Sequence, residues 1–150
     1  MIPISNSTSI QPSLYPASMT APMQAELESV GVKPLHTTAE VDEVFSKKNE
    51  TIFLMVNSVC GCAAGNARPA VALAMKHKIL PQQRVTVFAG VDQEATKRAR
   101  EFVNGIPPSS PSMFLFTNGK CVFSLERHQI QGRDPTEIAQ ELTKAFDKFC

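Results

Sequence analysis

Two cysteines flanking a single glycine, Cys60-Gly61-Cys62, are the residues of this sequence best suited to chemistry. The thiolate is the nucleophilic form of cysteine, and two thiols this close can exchange with a disulfide: one attacks, and the other resolves the mixed disulfide. With one intervening residue the two Cα atoms cannot be much more than about 7 Å apart, near the upper limit of disulfide geometry, so a constrained and easily reduced bond is feasible. Glycine is expected to permit the tight loop. Cys60, at the end of an apolar run, is assigned the attack, and Cys62 the resolving role. Two other readings compete. A Cys-Xaa-Cys pair can be half of a zinc site, but a closed site needs four ligands. Here Cys121 and Cys150 are isolated and His36, His77 and His128 are scattered, so no metal is assigned. Cysteine also serves as a small hydrophobe, which suits Cys121 inside an apolar strand; Cys150 reads as an exposed, incidental thiol.

The elements around the pair point the same way. Thr51 to Val56 is almost wholly apolar and rich in strand formers, as a central strand covered on both faces should be, and it runs directly into the cysteines. A helical stretch from Ala63 to about His77 follows, interrupted by Pro69, which is expected to kink it. A helix amino terminus stabilises a thiolate through its unpaired N–H groups and its dipole, so the motif's thiol pKa is expected to fall. No Asp or Glu occurs from Thr51 through Val91, whereas Arg68, Lys76, Lys78 and Arg84 do. Their sign favours a thiolate and an anionic thiol ligand, with Arg68 the candidate anion contact.

The rest of the chain supplies regular punctuation. Residues 1–18, rich in Ser and Pro, read as a loose arm, and 19–150 as one domain. Thr20 is the expected cap of a first helix with Pro22 in its first turn and Gly31 as its stop. Val32 to His36 is a candidate strand, and Thr37-Thr38-Ala39-Glu40 is a capping box opening a helix to about Lys48. Arg84 to Val91 is a further strand; Asp92 is expected to cap a helix in which Glu94 pairs with Arg98, ending near Gly105. Asn118-Gly119 joins strands Met113–Phe116 and Lys120–Ser124 in a hairpin, and Asp134-Pro135 opens a last amphipathic helix. Alternating β and α units imply parallel strands with crossover helices, and the closing hairpin adds an antiparallel edge. The fold class is therefore α/β: a thioredoxin-like three-layer sandwich, with a central mixed sheet, helices on both faces and an extra N-terminal helix. In that topology the proline before the penultimate strand faces the cysteines and is usually cis. By position it is Pro111, and the exposed backbone of Ser110 could pair with an extended substrate.

Composition limits the alternatives. In 150 residues, 15 basic side chains balance 14 acidic ones and 43% are hydrophobic, so one domain can bury its own core and no nucleic-acid surface is indicated. Four cysteines are too few for a disulfide-stapled scaffold. The first residues lack the features of a secretory signal and no apolar run is long enough to span a membrane. A cytoplasmic protein is expected, in which a close cysteine pair is more often catalytic or metal-binding than structural.

The block Asn57-Ser58-Val59-Cys60-Gly61-Cys62-Ala63-Ala64-Gly65-Asn66-Ala67-Arg68-Pro69-Ala70 resembles the active-site signature of the bacilliredoxin family, bacterial thioredoxin-like proteins once grouped as a domain of unknown function. The resemblance extends to Met23–Val44 and Ile106–Phe116. It implies reduction of mixed disulfides between proteins and the low-molecular-weight thiol bacillithiol, with Cys60 taking up bacillithiol and Cys62 resolving it. The thiol is then a co-substrate rather than a bound cofactor, and S-thiolated or disulfide-bonded proteins are the partners. Related proteins have also been considered protein disulfide isomerases, which is the alternative enzyme reading. A redox-sensing or metal-binding protein without turnover is the alternative outside catalysis.

Overall fold

A computed structural model describes residues 11–150. A five-stranded sheet has the order β1-β3-β2-β4-β5, formed by Lys33–Pro34, Ile52–Asn57, Gln83–Phe88, Ser112–Thr117 and Lys120–Leu125, numbered along the chain. β3 pairs in parallel with both β1 and β2, while β4 is antiparallel to β2 and β5. Six α-helices flank the sheet among the described residues: α1 Ala17–Glu28, α2 Thr38–Phe45, α3 Arg68–Ala74, α4 Gln93–Glu101, α5 Arg127–Ile130 and α6 Pro135–Phe149.

Every residue of β2 is buried, and strand alternation divides it between two cores. Phe53 and Met55 meet Leu27 of α1, Val71 and Ala74 of α3, and Leu142 and Phe146 of α6. Ile52, Leu54 and Val56 face the other way, toward Val41 and Phe45 of α2 and Ala95 and Ala99 of α4. The result is three layers, as the strand and helix alternation requires. Because β2 and β4 run antiparallel, with Val56 opposite Ser112, the carboxyl end of β2 meets the amino end of β4. The cysteines and the Pro111 loop therefore share one end of the sheet.

Local signals are met where a short side chain can satisfy nearby backbone. The Thr37–Glu40 capping box is present, with the Glu40 amide donating to Thr37 Oγ1 and the Thr37 amide to Glu40 Oε1. Asn118 and Gly119 take φ of 51° and 78°, the left-handed pair a two-residue hairpin turn demands. Asp134 Oδ1 accepts the Thr136 amide at the head of α6. Other local expectations are corrected. α1 begins at Ala17 and carries Thr20 and Pro22 within it; Thr20 is buried and caps nothing. Of the expected loose arm, residues 1–10 lie outside the described residues, while the Leu14 amide donates to the Gly90 carbonyl at 2.8 Å and so fixes that part of the chain. Arg98 does not pair with Glu94 but reaches Asp42 at 2.5 Å and Glu101 at 2.8 Å. Asp92 precedes α4 without a side-chain cap bond, because its carboxylate is turned to His36 Nδ1 at 3.0 Å.

Candidate active site

Cys60 and Cys62 form a disulfide, with Cα atoms 5.4 Å apart. Cys60 closes the chain coming off β2 and starts the helix, since its carbonyl accepts the amides of Ala63 at 3.0 Å and Ala64 at 3.2 Å. Such a start leaves the amides of the first turn without intrahelical partners, close to the sulfurs. Both cysteines are half-buried and Gly61 is exposed between them. One expectation changes here: Gly61 does not have a positive φ, and a Cβ built on it would meet nothing within 4 Å. The oxidised loop does not require glycine; what Gly61 leaves open is the outer approach to the sulfurs.

The expected kink at Pro69 takes another form. Residues Ala63–Ala67 make a π-helical turn, in which the Arg68 amide reaches back five residues to the Ala63 carbonyl. Pro69 has no N–H to give, and its ring would crowd the carbonyl one α-turn earlier, so the backbone widens by one residue instead of bending. Asn66 in this turn donates to the Arg133 carbonyl at 2.5 Å, tying the turn to the segment before α6.

Arg68 is not the anion contact anticipated. It is 2% exposed and points inward, beneath the motif. Its Nη1 donates to Asn57 Oδ1 at 3.0 Å and to the Ser58 carbonyl at 2.9 Å, while Nε meets Glu26 Oε2 of α1 at 3.3 Å. Asn57 Oδ1 also accepts the Ser58 amide at 2.9 Å, and Ser58 Oγ accepts the Cys60 amide at 3.2 Å. A buried guanidinium thus underpins the segment leading to Cys60. The other cations of the acid-free stretch lie elsewhere. Lys76 lies beyond the far end of α3, about 20 Å along the helix from Cys60. Arg84 is paired with Phe53 at the opposite end of the sheet. Both lie beyond the roughly 8 Å screening length. The basic bias of the sequence is therefore dispersed in space, with Arg68 alone kept near the motif.

Ser110 and Pro111 lie at the same sheet end, joined by a cis peptide bond. Pro111 is buried and Ser110 half-buried. Arg127 Nη1 donates to the Ser110 carbonyl at 3.3 Å and the Arg127 amide donates to Ser109 Oγ at 3.2 Å, so a substrate strand pairing with that carbonyl shares it with an existing contact or displaces that contact. Arg100 Nη2 reaches the Ser109 carbonyl at 3.4 Å, and burial pushes the Arg100 guanidinium below its ordinary pKa. Arg127 went unnoticed in the sequence; the faint signal was Glu126 and Gln129, whose side chains cap the short α5 that presents it. Cys121 and Cys150 remain unpaired with each other or with the motif, the first half-buried and the second exposed. Burial raises both of their thiol pKa values.

A dithiol held as a disulfide at a helix head, between the ends of β2 and β4 of this sheet, belongs to a thiol–disulfide oxidoreductase of thioredoxin fold. Solved structures agree on the fold. A thioredoxin of Fasciola hepatica superposes with a TM-score of 0.53, at 13% identity, covering 79% of this chain and 100% of that one. The oxidised thioredoxin of Plasmodium falciparum gives 0.52 at 19% identity, covering 77% and 99%. Residues 15–150 match the family described as "Disulphide isomerase". A bacilliredoxin of Salinibacter ruber is 51% identical over 140 residues, 91% of this chain and 81% of its own length, and one of Staphylococcus aureus is 46% identical over 137 residues, covering 91% and 94%. The chain belongs to the bacilliredoxin family.

Proposed function

We infer that this protein removes bacillithiol from S-thiolated proteins. The observation that carries the reading is the half-exposed Cys60–Cys62 disulfide at the head of a helix, beside the Ser110-Pro111 loop. The name shared by relatives covering 91% of the chain supports the choice of thiol. In the reduced protein the Cys60 thiolate attacks the bacillithiol sulfur of the mixed disulfide. The substrate's thiolate leaves, and bacillithiol becomes disulfide-bonded to Cys60. Cys62 Sγ, as thiolate, then attacks Cys60 Sγ, expels bacillithiol as its thiolate and forms the Cys60–Cys62 disulfide. The protein dithiol supplies both electrons, so each turnover needs a thiol reductant from outside to restore it. A reducing compartment, the cytoplasm in this reading, provides one.

The test mixes reduced protein with a bacillithiolated protein and follows the adduct by mass spectrometry. Wild type should clear it. Cys62→Ser should accumulate bacillithiol on Cys60, and Cys60→Ala should leave the substrate modified. Persistence of the adduct with wild type, or equal clearance by Cys60→Ala, refutes the assignment. The second reading, disulfide isomerase, is favoured by the description of the matching family. Recovery of activity by a scrambled protein without net reduction would select it.

A further inference from the structure

The cluster beneath the motif is not used by the exchange reaction, yet it ties a buried cation to the carbonyl of Ser58, two residues before Cys60. Arg68 enters from α3, Glu26 from α1, and Asn57 and Ser58 from the end of β2; Ser58 passes the contact on to the Cys60 amide. A side chain that is 2% exposed keeps its charge only with partners, and a single carboxylate, itself half-exposed at 51%, offsets it. The remaining contacts to Arg68 are neutral oxygens. Across the sheet end, two further charged groups are directed at the neighbouring loop, Arg127 of α5 on the Ser110 carbonyl and Arg100 of α4 on the Ser109 carbonyl.

We propose that Arg68 is a positioning residue for the redox reaction. Its two-point hold on Asn57 and Ser58 sets the path of the chain into Cys60, its charge stabilises the Cys60 thiolate from below, and Glu26 tempers that charge. Ser58, whose carbonyl Arg68 holds, lies two residues before Cys60, at most about 7 Å from it between Cα atoms. At a charge-to-sulfur separation of about 10 Å and an effective dielectric constant of about 20, one unit charge still shifts a thiol by about one pKa unit. The N-terminal helix thereby acquires a role in reactivity, because it carries the tempering carboxylate.

The inference rests on Cys60 as the nucleophile of the proposed reaction, so its test uses no bacillithiol. The reduced full-length protein is alkylated with iodoacetamide from pH 4 to 10, and peptide mass spectrometry reads the pH midpoint at Cys60 separately from the other cysteines. Arg68→Met should raise the midpoint by about one unit. Arg68→Lys retains the charge but not the two-point hold, and should stay within about 0.3 unit of wild type. Glu26→Gln keeps a hydrogen-bond acceptor but removes the anion, and should lower the midpoint by a few tenths. A purely structural Arg68 would make Lys and Met equivalent and leave Glu26→Gln unchanged; either result overturns the proposal. Should Arg68→Met not fold, the Lys and Gln variants decide alone. Midpoints as expected, combined with failure to clear a bacillithiolated protein, refute the substrate assignment and leave this inference standing.

Discussion

Asn57 is the residue through which stability and the motif meet, and its truncation can be worked through. The side chain is 1% exposed. Its Oδ1 accepts the Ser58 amide at 2.9 Å and Arg68 Nη1 at 3.0 Å, and its Nδ2 makes a long bond to the Met23 carbonyl at 3.5 Å. Asn57→Ala takes the acceptor from two buried donors at once. A buried donor left without a partner costs about 1–3 kcal/mol. Arg68 retains the Ser58 carbonyl and Glu26, which puts its share at the low end, and the sum is about 2–4 kcal/mol. For a domain of this size each kcal/mol shifts the melting temperature by roughly 2–4 °C, so a fall of about 5–15 °C is expected. Urea unfolding of the reduced protein, followed by far-ultraviolet circular dichroism, measures it with the disulfide out of the account. Asn57→Asp preserves the acceptor geometry and should remain within about 1 kcal/mol of wild type at neutral pH. A loss below about 1 kcal/mol for Asn57→Ala, with an unchanged denaturant slope, would refute the claim that this network carries the loop.

Further outcomes follow from single contacts. The His36 amide, with that of Thr37, holds the Glu40 carboxyl below its ordinary 4.5. A carboxylate depressed by folding contributes stability in full above its unfolded-state pKa and loses it as pH falls through the folded-state value; Glu40→Gln should therefore flatten the acid limb of the stability profile below about pH 4.5. Thr37→Ala removes the hydroxyl that accepts the Glu40 amide and should cost about 1 kcal/mol in urea unfolding. At Gly119 the φ of 78° disfavours any side chain, while an added Cβ would sit in ordinary contact with Lys48, no nearer than 3.5 Å. Gly119→Ala should accordingly lose about 1 kcal/mol from backbone strain and leave thiol exchange unaltered, as thermal unfolding and a disulfide-reduction assay would report. Because burial raises the Cys121 thiol, its alkylation at neutral pH should trail that of Cys60 by at least about tenfold in the reduced protein, read by peptide mapping.

What sequence reading recovered shares one property: the information is local. Thr37 and Glu40 cap each other three residues apart, Asn118-Gly119 closes its own turn, and Cys60 and Cys62 are neighbours in the chain whatever the fold does. The continuous apolar run of β2 and the order of elements sufficed for the layers. The errors over charged side chains involve partners distant in sequence. Glu94 lost Arg98 to Asp42, which lies on α2, and Asp92 was drawn from its capping role by His36. Arg68 appeared to belong to a basic surface because no acid lies within the surrounding stretch, but Glu26 arrives from another helix, 42 positions away. Charge counted along the chain is a poor guide to charge near a site when the chain crosses the sheet between the counted residues.

The widened turn over Ala63–Ala67 sets a phase relation. An α-helix advances 100° per residue, so a turn that takes in one residue more than usual sets every later residue back by about that angle from where an unbroken α-helix of the same sequence would put it. The sulfurs are on the earlier side of this offset; Arg68, Ala70, Val71 and Ala74, all buried, are on the later side. Deleting one residue between Ala64 and Ala67 would let the segment close as an α-helix with the cysteines and the buried stripe at their present angle, whereas forcing the full-length segment into an α-helix would swing one of them through about 100°. The widened turn thus absorbs one residue of chain and keeps the reactive face of the helix at its angle to the face that grips the core.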